Sequence, residues 1–347
     1  MTDGVVETAC FAGAVQFNSR ESTGNYSRGV SSAESYRIFA EVEAKGHSAT
    51  YNDWSNSISD DAPVLTLIDD LPERCRQPNL ILACCRFLGV EPGPYDLFRE
   101  FLLKRWSEVK NLALTKRTQT NEPGRCAVLL PLLASLPQPL ALLEVGASAG
   151  LCLYPDRYGY DYDSDVQIDP RGGSEVSLAC ATRGDPPLPE SLPEVVWRAG
   201  IDLNPLDVRD EPSMKWLEAL VWPEQEFRLH RLRAAIDVAR SDPPTLFRGD
   251  LVERLREVAQ QAPHDATLVV FNSAVLAYLD EDRRSDFVDL VRSLPATWIS
   301  NDGNGVVPSL KPATSPPRDP VETPFVLAQD GIPIAYTGMH GQTLDWL

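Results

Sequence analysis

The residues best placed to do chemistry lie in one stretch, Leu142-Leu143-Glu144-Val145-Gly146-Ala147-Ser148-Ala149-Gly150-Leu151. The apolar run ending in a carboxylate reads as a buried strand. The small residues from Gly146 to Gly150 read as a tight turn, and Leu151 as the start of a helix. Such a turn leaves backbone N–H groups free at a helix N-terminus and lets a ligand approach the main chain closely. Two chemistries use it. In one, a nucleotide-type cofactor sits on the glycines while an acid at the strand end holds its polar groups. In the other, Gly146-x-Ser148-x-Gly150 is a nucleophile elbow with Ser148 attacking, followed in chain order by an acid such as Asp250 or Asp280 and by His340. The elbow lacks support upstream, where the sequence reads as helical and no His-Gly-Gly segment occurs. An acid two positions before the first glycine suits a cofactor site better. The spacing also departs from G-x-G-x-x-G, which counts against a dinucleotide oxidoreductase.

Other acids and polar residues fall at similar points of the pattern. Val195 to Asp202 is a strand ending in a carboxylate, and Thr245 to Asp250 another. Thr267 to Asn272 is a buried strand ending in an amide, with Tyr278 shortly after it. Upstream, Arg117-Thr118-Gln119-Thr120-Asn121-Glu122-Pro123-Gly124-Arg125 is dense in hydrogen-bonding groups and precedes an apolar helix, Cys126 to Leu136. Thr120 or Asn121 is a candidate cap for that helix. Glu122 and Arg125 are candidates to wall the site and hold a substrate or a cofactor's polar end. For a base or an orienting group the sequence offers Glu122, Asp156, Asn272 and Tyr278.

The elements that must position these residues come from hydrophobic spacing. Residues 1–137 read as mainly helical, with stripes at Leu80, Ile81, Cys84, Cys85 and Leu88 and again from Leu97 to Val109. The polar stretch Thr50 to Asp61 reads as a loop. Pro137 and Pro139 mark a joint. From 138 to 347 strands alternate with helices, which implies an α/β fold with a doubly wound, mostly parallel sheet. Asp330-Gly331 between two apolar runs is a hairpin signature at the C-terminal end. The count is seven strands. Residues 154–193, rich in tyrosine, proline and glycine, read as an insertion whose aromatics line a pocket or face solvent.

The bulk properties narrow the partners. The chain has 347 residues and a formal net charge of −18, which argues against a nucleic-acid backbone or an anionic membrane as partner and leaves a small molecule. No apolar run approaches the length of a membrane span. Seven cysteines without a C-x-x-C pair suggest reduced thiols in a cytoplasm. Four scattered histidines make a metal site unexpected.

In this order the motifs resemble those of class I S-adenosylmethionine (SAM)-dependent methyltransferases. Leu142 to Gly150 resembles their first motif, with Ser148 where the middle glycine stands. Gly200-Ile201-Asp202-Leu203-Asn204-Pro205 resembles the second-strand end, Gly249-Asp250 the third, and Phe271-Asn272-Ser273-Ala274-Val275-Leu276 the fourth. The chain resembles more closely a bacterial family, domain of unknown function 2332. The matching pieces are Gln119 to Cys126, Leu143 to Leu151, Asp156-Arg157-Tyr158 and Trp216-Leu217-Glu218-Ala219-Leu220-Val221-Trp222-Pro223. The resemblance implies a Rossmann-like domain over 138–347 under a helical lid, with Glu144, Gly146, Ser148, Gly150, Asp202 and Asp250 holding SAM. It implies methyl transfer to a small molecule, or a SAM-binding domain without catalysis. The stretch between Gly150 and Asp202 is far longer than the ~20 residues of a simple βαβ unit, and the insertion accounts for it.

Overall fold

The computed structural model describes residues 30–163, 165–316 and 324–347. Cys10 and the rest of the first 29 residues lie outside them. The described part of the first 137 residues is helical throughout. It comprises α1 (Ser32–Ile38), α2 (Ala49–Asp60), α3 (Ala62–Asp69), α4 (Pro78–Phe87), α5 (Tyr95–Lys104), α6 (Trp106–Thr115) and α7 (Cys126–Ser135). The stretch expected as a loop, Thr50 to Asp61, is instead helix α2. Its few large residues, Tyr51, Trp54 and Ile58, recur at helical spacing and are buried, while Ser48 caps the first turn by accepting from Tyr51 N–H at 3.0 Å. Trp54 stacks on Phe98 with ring centroids 4.2 Å apart in a core made by α1 to α6. Tertiary burial therefore outweighs the polar character of the segment.

The rest of the chain builds one mixed, mostly parallel sheet. Its strands are β1 (Leu140–Val145), β2 (Gly159–Tyr162), β3 (Val166–Ile168), β4 (Ser177–Arg183), β5 (Val195–Asp202), β6 (Thr245–Arg248), β7 (Thr267–Ser273), β8 (Thr297–Gly303), β9 (Phe325–Gln329), β10 (Ile332–Thr337) and β11 (Thr343–Trp346). Helices α8 (Glu211–Leu220), α9 (Glu226–Ser241), α10 (Leu251–Ala259) and α11 (Glu281–Arg292) connect them. The order is β3-β2-β4-β11-β10-β9-β8-β7-β1-β5-β6, eleven strands rather than the expected seven. The seven are all present, hairpin β9–β10 included. The four extra strands are β2, β3 and β4 from the insertion, and β11. Three of them are only three or four residues long, too short for their alternation to stand out in the sequence, and β4 presents only Leu178 and Cys180 as buried apolar residues.

Strand parity decides which residues can meet, because successive side chains face opposite sides. On β1, Leu140 and Leu142 join one core with α7 and α9, while Leu143 and Val145 join the other with α10 and α11. Glu144 therefore points to the α7 side. So does Asp202, two residues beyond Gly200 and four beyond Arg198, since Ala199 and Ile201 lie in the α10 core. Asn272 points the other way, because Val270 on the same strand belongs to the α10 core. Helix α7, apolar around its circumference, is buried in the core that the sheet shares with α9.

The tyrosines of the insertion are core residues, neither pocket lining nor exposed loop. Tyr158, Tyr160 and Tyr162 are buried, and their hydroxyls donate to the carbonyls of Leu151, Pro155 and Ala127 at 2.6, 2.7 and 2.7 Å. A buried phenol requires such a partner, and here the partners anchor the insertion to the β1 turn and to α7. No helix among the described residues is long and apolar enough to cross a membrane.

Candidate functional site

The turn after β1 takes left-handed backbone at three positions. Gly146, Ser148 and Gly150 have φ of 74°, 52° and 74°. A non-glycine residue in this region costs about 1–2 kcal/mol, and at Ser148 the surrounding hydrogen bonds hold it there. Its N–H donates to Asp202 Oδ2 at 2.8 Å, and its carbonyl accepts from Leu206 N–H at 3.0 Å. The other amides are also bound within the chain. Gly146 and Ala147 donate to Ile201 O, and Gly150 to Ala147 O. Ala149 and Leu151 donate to Asn121 Oδ1 at 3.2 and 2.9 Å.

The free N–H groups expected from the sequence are therefore not there. Only a short 3-10 turn, Leu151–Leu153, comes after Gly150, and Asn121 caps it from a segment that lies across the turn. Asn121 serves this turn and leaves α7 uncapped, while Glu122 accepts from Gly124 N–H at 3.0 Å. Asn121→Ala is expected to orphan two buried amides and cost about 1–3 kcal/mol. Asn121→Asp, which keeps the acceptor, should cost less. Urea unfolding of the two variants checks this.

Two oxygens at the turn have no partner among the described residues: Glu144 Oε2 and Ser148 Oγ are both buried and make no hydrogen bond there. Burial, with the Cys152 thiol beside it, pushes the Glu144 carboxyl well above the usual carboxylate range, while Arg125 opposes the shift. Neighbouring Asp202 is half-buried and well supplied. Its Oδ1 accepts from Asn204 N–H at 2.7 Å and Gln119 Nε2 at 3.3 Å. These three residues surround the point where β1 lies between β5 and β7, a position at which parallel sheets characteristically bind ligands.

Beside the turn runs a buried row of charges. Glu122 accepts from Arg228 Nε at 2.7 Å and pairs with Arg231 Nη2 at 2.8 Å. Burial works against its ionised form, but the two guanidinium groups outweigh that and hold its carboxyl at about 2. Arg125 donates through Nε to Met339 O at 3.0 Å and through Nη1 to Ser273 O at 3.2 Å. It forms no ion pair among the described residues. His340, in the turn between β10 and β11, shares this environment. Burial and the nearby Arg228 hold it well below the usual histidine range.

A family model described as an uncharacterized protein conserved in bacteria, DUF2332, matches residues 33–346. The chain belongs to the DUF2332 family. No curated protein and no solved structure matches it. The match takes in both the helical layer and the sheet, so the DUF2332 unit includes Gln119, Asn121 and Glu122 with the turn they cover.

The remaining candidates of this DUF2332 protein are dispersed. Asp156 makes a two-pronged ion pair with Arg198, at 2.8 and 2.6 Å, and Arg198 also donates to Leu153 O. Asp250 caps α10 by accepting from Val252 N–H at 2.9 Å, and pairs with Arg283. Asn272 is fully used: Nδ2 donates to Ser300 Oγ and Asp302 Oδ2 at 2.9 and 2.6 Å, and Oδ1 accepts from Trp298 Nε1 at 2.8 Å. Burial raises Asp302 to about 6 against the pull of those hydrogen bonds. Tyr278 is 73% exposed at the rim. Thus Glu144, Gly146, Ser148, Gly150 and Asp202 come together, Glu122 lies beside them, and Asp156, Asp250 and Asn272 serve other contacts.

The elbow reading finds no support in this geometry. Ser148 Oγ and His340 Nδ1 are both without a hydrogen bond. Ala149 N–H, the oxyanion donor of an elbow, is taken by Asn121. Asp280 caps α11. Sequence reasoning missed Gln119 as a partner of Asp202, and Arg228 and Arg231 altogether. The signal for the latter was two arginines three apart at the start of α9, which share a helix face.

Proposed function

We propose that the protein is a SAM-dependent methyltransferase acting on a small molecule, with a Rossmann-like cofactor unit over 138–347 and residues 1–137 as a helical lid. One observation carries this reading: Glu144 Oε2 and Ser148 Oγ, two buried oxygens without partners, lie at the strand switch point next to Asp202. Buried polar atoms are otherwise almost always bonded, so this pair marks a place for a ligand's donors. The fit is through carboxylates rather than amides. Asp202 is placed to accept from hydroxyls in exchange for Gln119, and Glu144 to accept from an ammonium. The turn amides are bonded within the chain and take no part.

When bound, SAM supplies a methyl group already activated by its sulfonium. The protein's work is then to hold and orient, and to exclude water. Gly146 and Gly150 set the turn, Asn121 fixes it, and Glu122, Arg125 and Tyr278 lie on the side from which a substrate approaches. The saturation of Asn272 and Asp250 by internal contacts favours the second reading, a SAM-binding domain without catalysis. The cytoplasm is the proposed compartment, consistent with the six cysteines among the described residues, all buried and free.

Calorimetric titration of the full chain with SAM and S-adenosylhomocysteine tests the reading. Binding that Asp202→Ala weakens is the expected result. Glu144 adds a sharper signature. Burial favours its neutral form in the free protein, and a ligand cation beside it would favour the carboxylate. Cation binding should therefore release protons, the measured heat should track the buffer's ionisation enthalpy, and affinity should rise with pH by at most about tenfold per pH unit. Glu144→Gln should abolish the buffer dependence. Absence of binding by either ligand to folded protein removes the methyl-transfer reading.

A further inference from the structure

Three arginines converge on one histidine at the carboxyl edge of the sheet. His340 lies within the electrostatic reach of Arg125, Arg228 and Arg231 together. Each arginine is fixed through part of its guanidinium: Arg125 by the Ser273 and Met339 carbonyls, Arg228 by Glu122 and Gln225, and Arg231 by Glu122. Each also has one nitrogen left over. Arg125 Nη2, Arg228 Nη2 and Arg231 Nη1 make no hydrogen bond among the described residues, and none is a buried unpartnered atom. The side chains that carry them are mostly buried, with Arg231 the most exposed of the three at 13%.

The charge balance in this row is uneven. Glu122 is the one carboxylate, among the described residues, that pairs with any of the three, in a chain with a net charge of −18. A buried cation without a counterion is costly, so the row favours an incoming anion. Two more atoms point the same way, since Arg231 Nε and His340 Nδ1 are buried without partners among the described residues. Phe227 is 65% exposed, under the Arg231 guanidinium at 5.6 Å, and Tyr278, within the electrostatic reach of Arg125, is 73% exposed. Large exposed aromatics beside pre-organised donors suit a ligand with an apolar body and a charged head.

We propose that Arg125, Arg228 and Arg231, with His340, bind the oxyanion of a small molecule, a carboxylate or a phosphate, whose apolar part rests on Phe227 or Tyr278. Planar guanidinium groups held in place are suited to paired hydrogen bonds with such groups. In one respect the inference rests on the methyl-transfer reading, namely that the bound molecule is the substrate. The oxyanion site itself stands apart from any cofactor.

The test titrates the full chain, without SAM and at constant ionic strength, with sodium benzoate, phenyl phosphate, inorganic phosphate and the neutral analogue benzamide. Calorimetry and thermal shift are the readouts. The expected result is saturable binding of benzoate or phenyl phosphate, none of benzamide, and affinity about tenfold weaker in Arg125→Lys and Arg231→Lys. Those variants keep the charge that the fold needs and lose the planar fork. Which probe binds tighter tells carboxylate from phosphate. No saturable oxyanion binding at millimolar concentration, equal binding of benzamide, or unchanged affinity in both variants would each overturn the proposal. Inorganic phosphate binding as tightly as phenyl phosphate would remove the aromatic part. A parallel titration with SAM separates the two ideas, because oxyanion binding without SAM binding leaves the site standing and withdraws only the methyl-transfer reading.

Discussion

Glu122→Gln is expected to cost the fold about 3–5 kcal/mol at pH 7, the range found when one member of a buried ion pair is removed. The carboxylate is buried and joins Arg228, Arg231 and the Gly124 amide, so it ties α9 to the segment that covers the β1 turn. A glutamine fills the same space and cannot neutralise either guanidinium. The same group sets an acid limb. Its folded pKa, about 2, lies below the value of an unfolded glutamate. Its contribution is therefore complete above pH ~4.5 and lost as pH falls toward ~2, and amounts to about 3 kcal/mol. Asp302, raised to about 6, runs the other way: its neutral form is favoured in the fold, so that contribution is present at low pH and fades as pH rises through 6. Urea unfolding of wild type and Glu122→Gln across pH 2–7 checks both statements. A loss below about 1 kcal/mol at pH 7 would mean that the two arginines find solvent unaided.

Gly146→Ala is expected to cost the fold about 2–5 kcal/mol. The backbone there has φ of 74°, which a side chain enters at a cost of about 1–2 kcal/mol. A Cβ at this position would also fall inside the Val275 side chain, which covers the turn from the end of β7. Overpacking of this kind costs about 1–3 kcal/mol more. The two parts separate in a double-mutant cycle. Val275→Ala in the Gly146→Ala background should recover the steric part and leave the backbone part, giving a favourable coupling of about 1–3 kcal/mol. Additive losses would show that Val275 moves aside freely, and that the turn is as open as the sequence suggests.

The sequence makes the central strands legible because β1, β7 and much of β5 are short apolar runs that burial on both faces requires. Their ends are legible for the same reason, which is why Glu144 and Asp202 can be read as the ends of neighbouring strands. Strand parity is the harder matter. Asn272 ends a strand as Glu144 does, yet it faces the opposite core, and one residue of register makes that difference. The partners of the turn are hidden by distance along the chain: Glu122 and Arg228 are 106 residues apart, and Asn121 and Leu151 are 30. A local pattern reports a cap or a surface charge in such cases and says nothing of the side chain that arrives from elsewhere. Helix α2 is hidden for the complementary reason, since its polar face dominates the composition and only tertiary burial reveals the other.

Strand β11 carries one more consequence. It pairs with β10 on one side and with β4 on the other, in parallel register from Thr343↔Ala181 to Asp345↔Arg183. The insertion strands made early in synthesis have no other neighbour, among the described residues, linking them to the rest of the sheet. On the ribosome, β2, β3 and β4 must therefore wait with an unfilled edge until Thr343–Trp346 has cleared the exit tunnel. Pairing over so long a span of chain is slow, and an open edge invites association with other chains. Nascent chains stalled before residue 343 should be protease-sensitive in the insertion and prone to aggregate, and pairing of Thr343–Trp346 with β4 should act as the latch that seals the sheet.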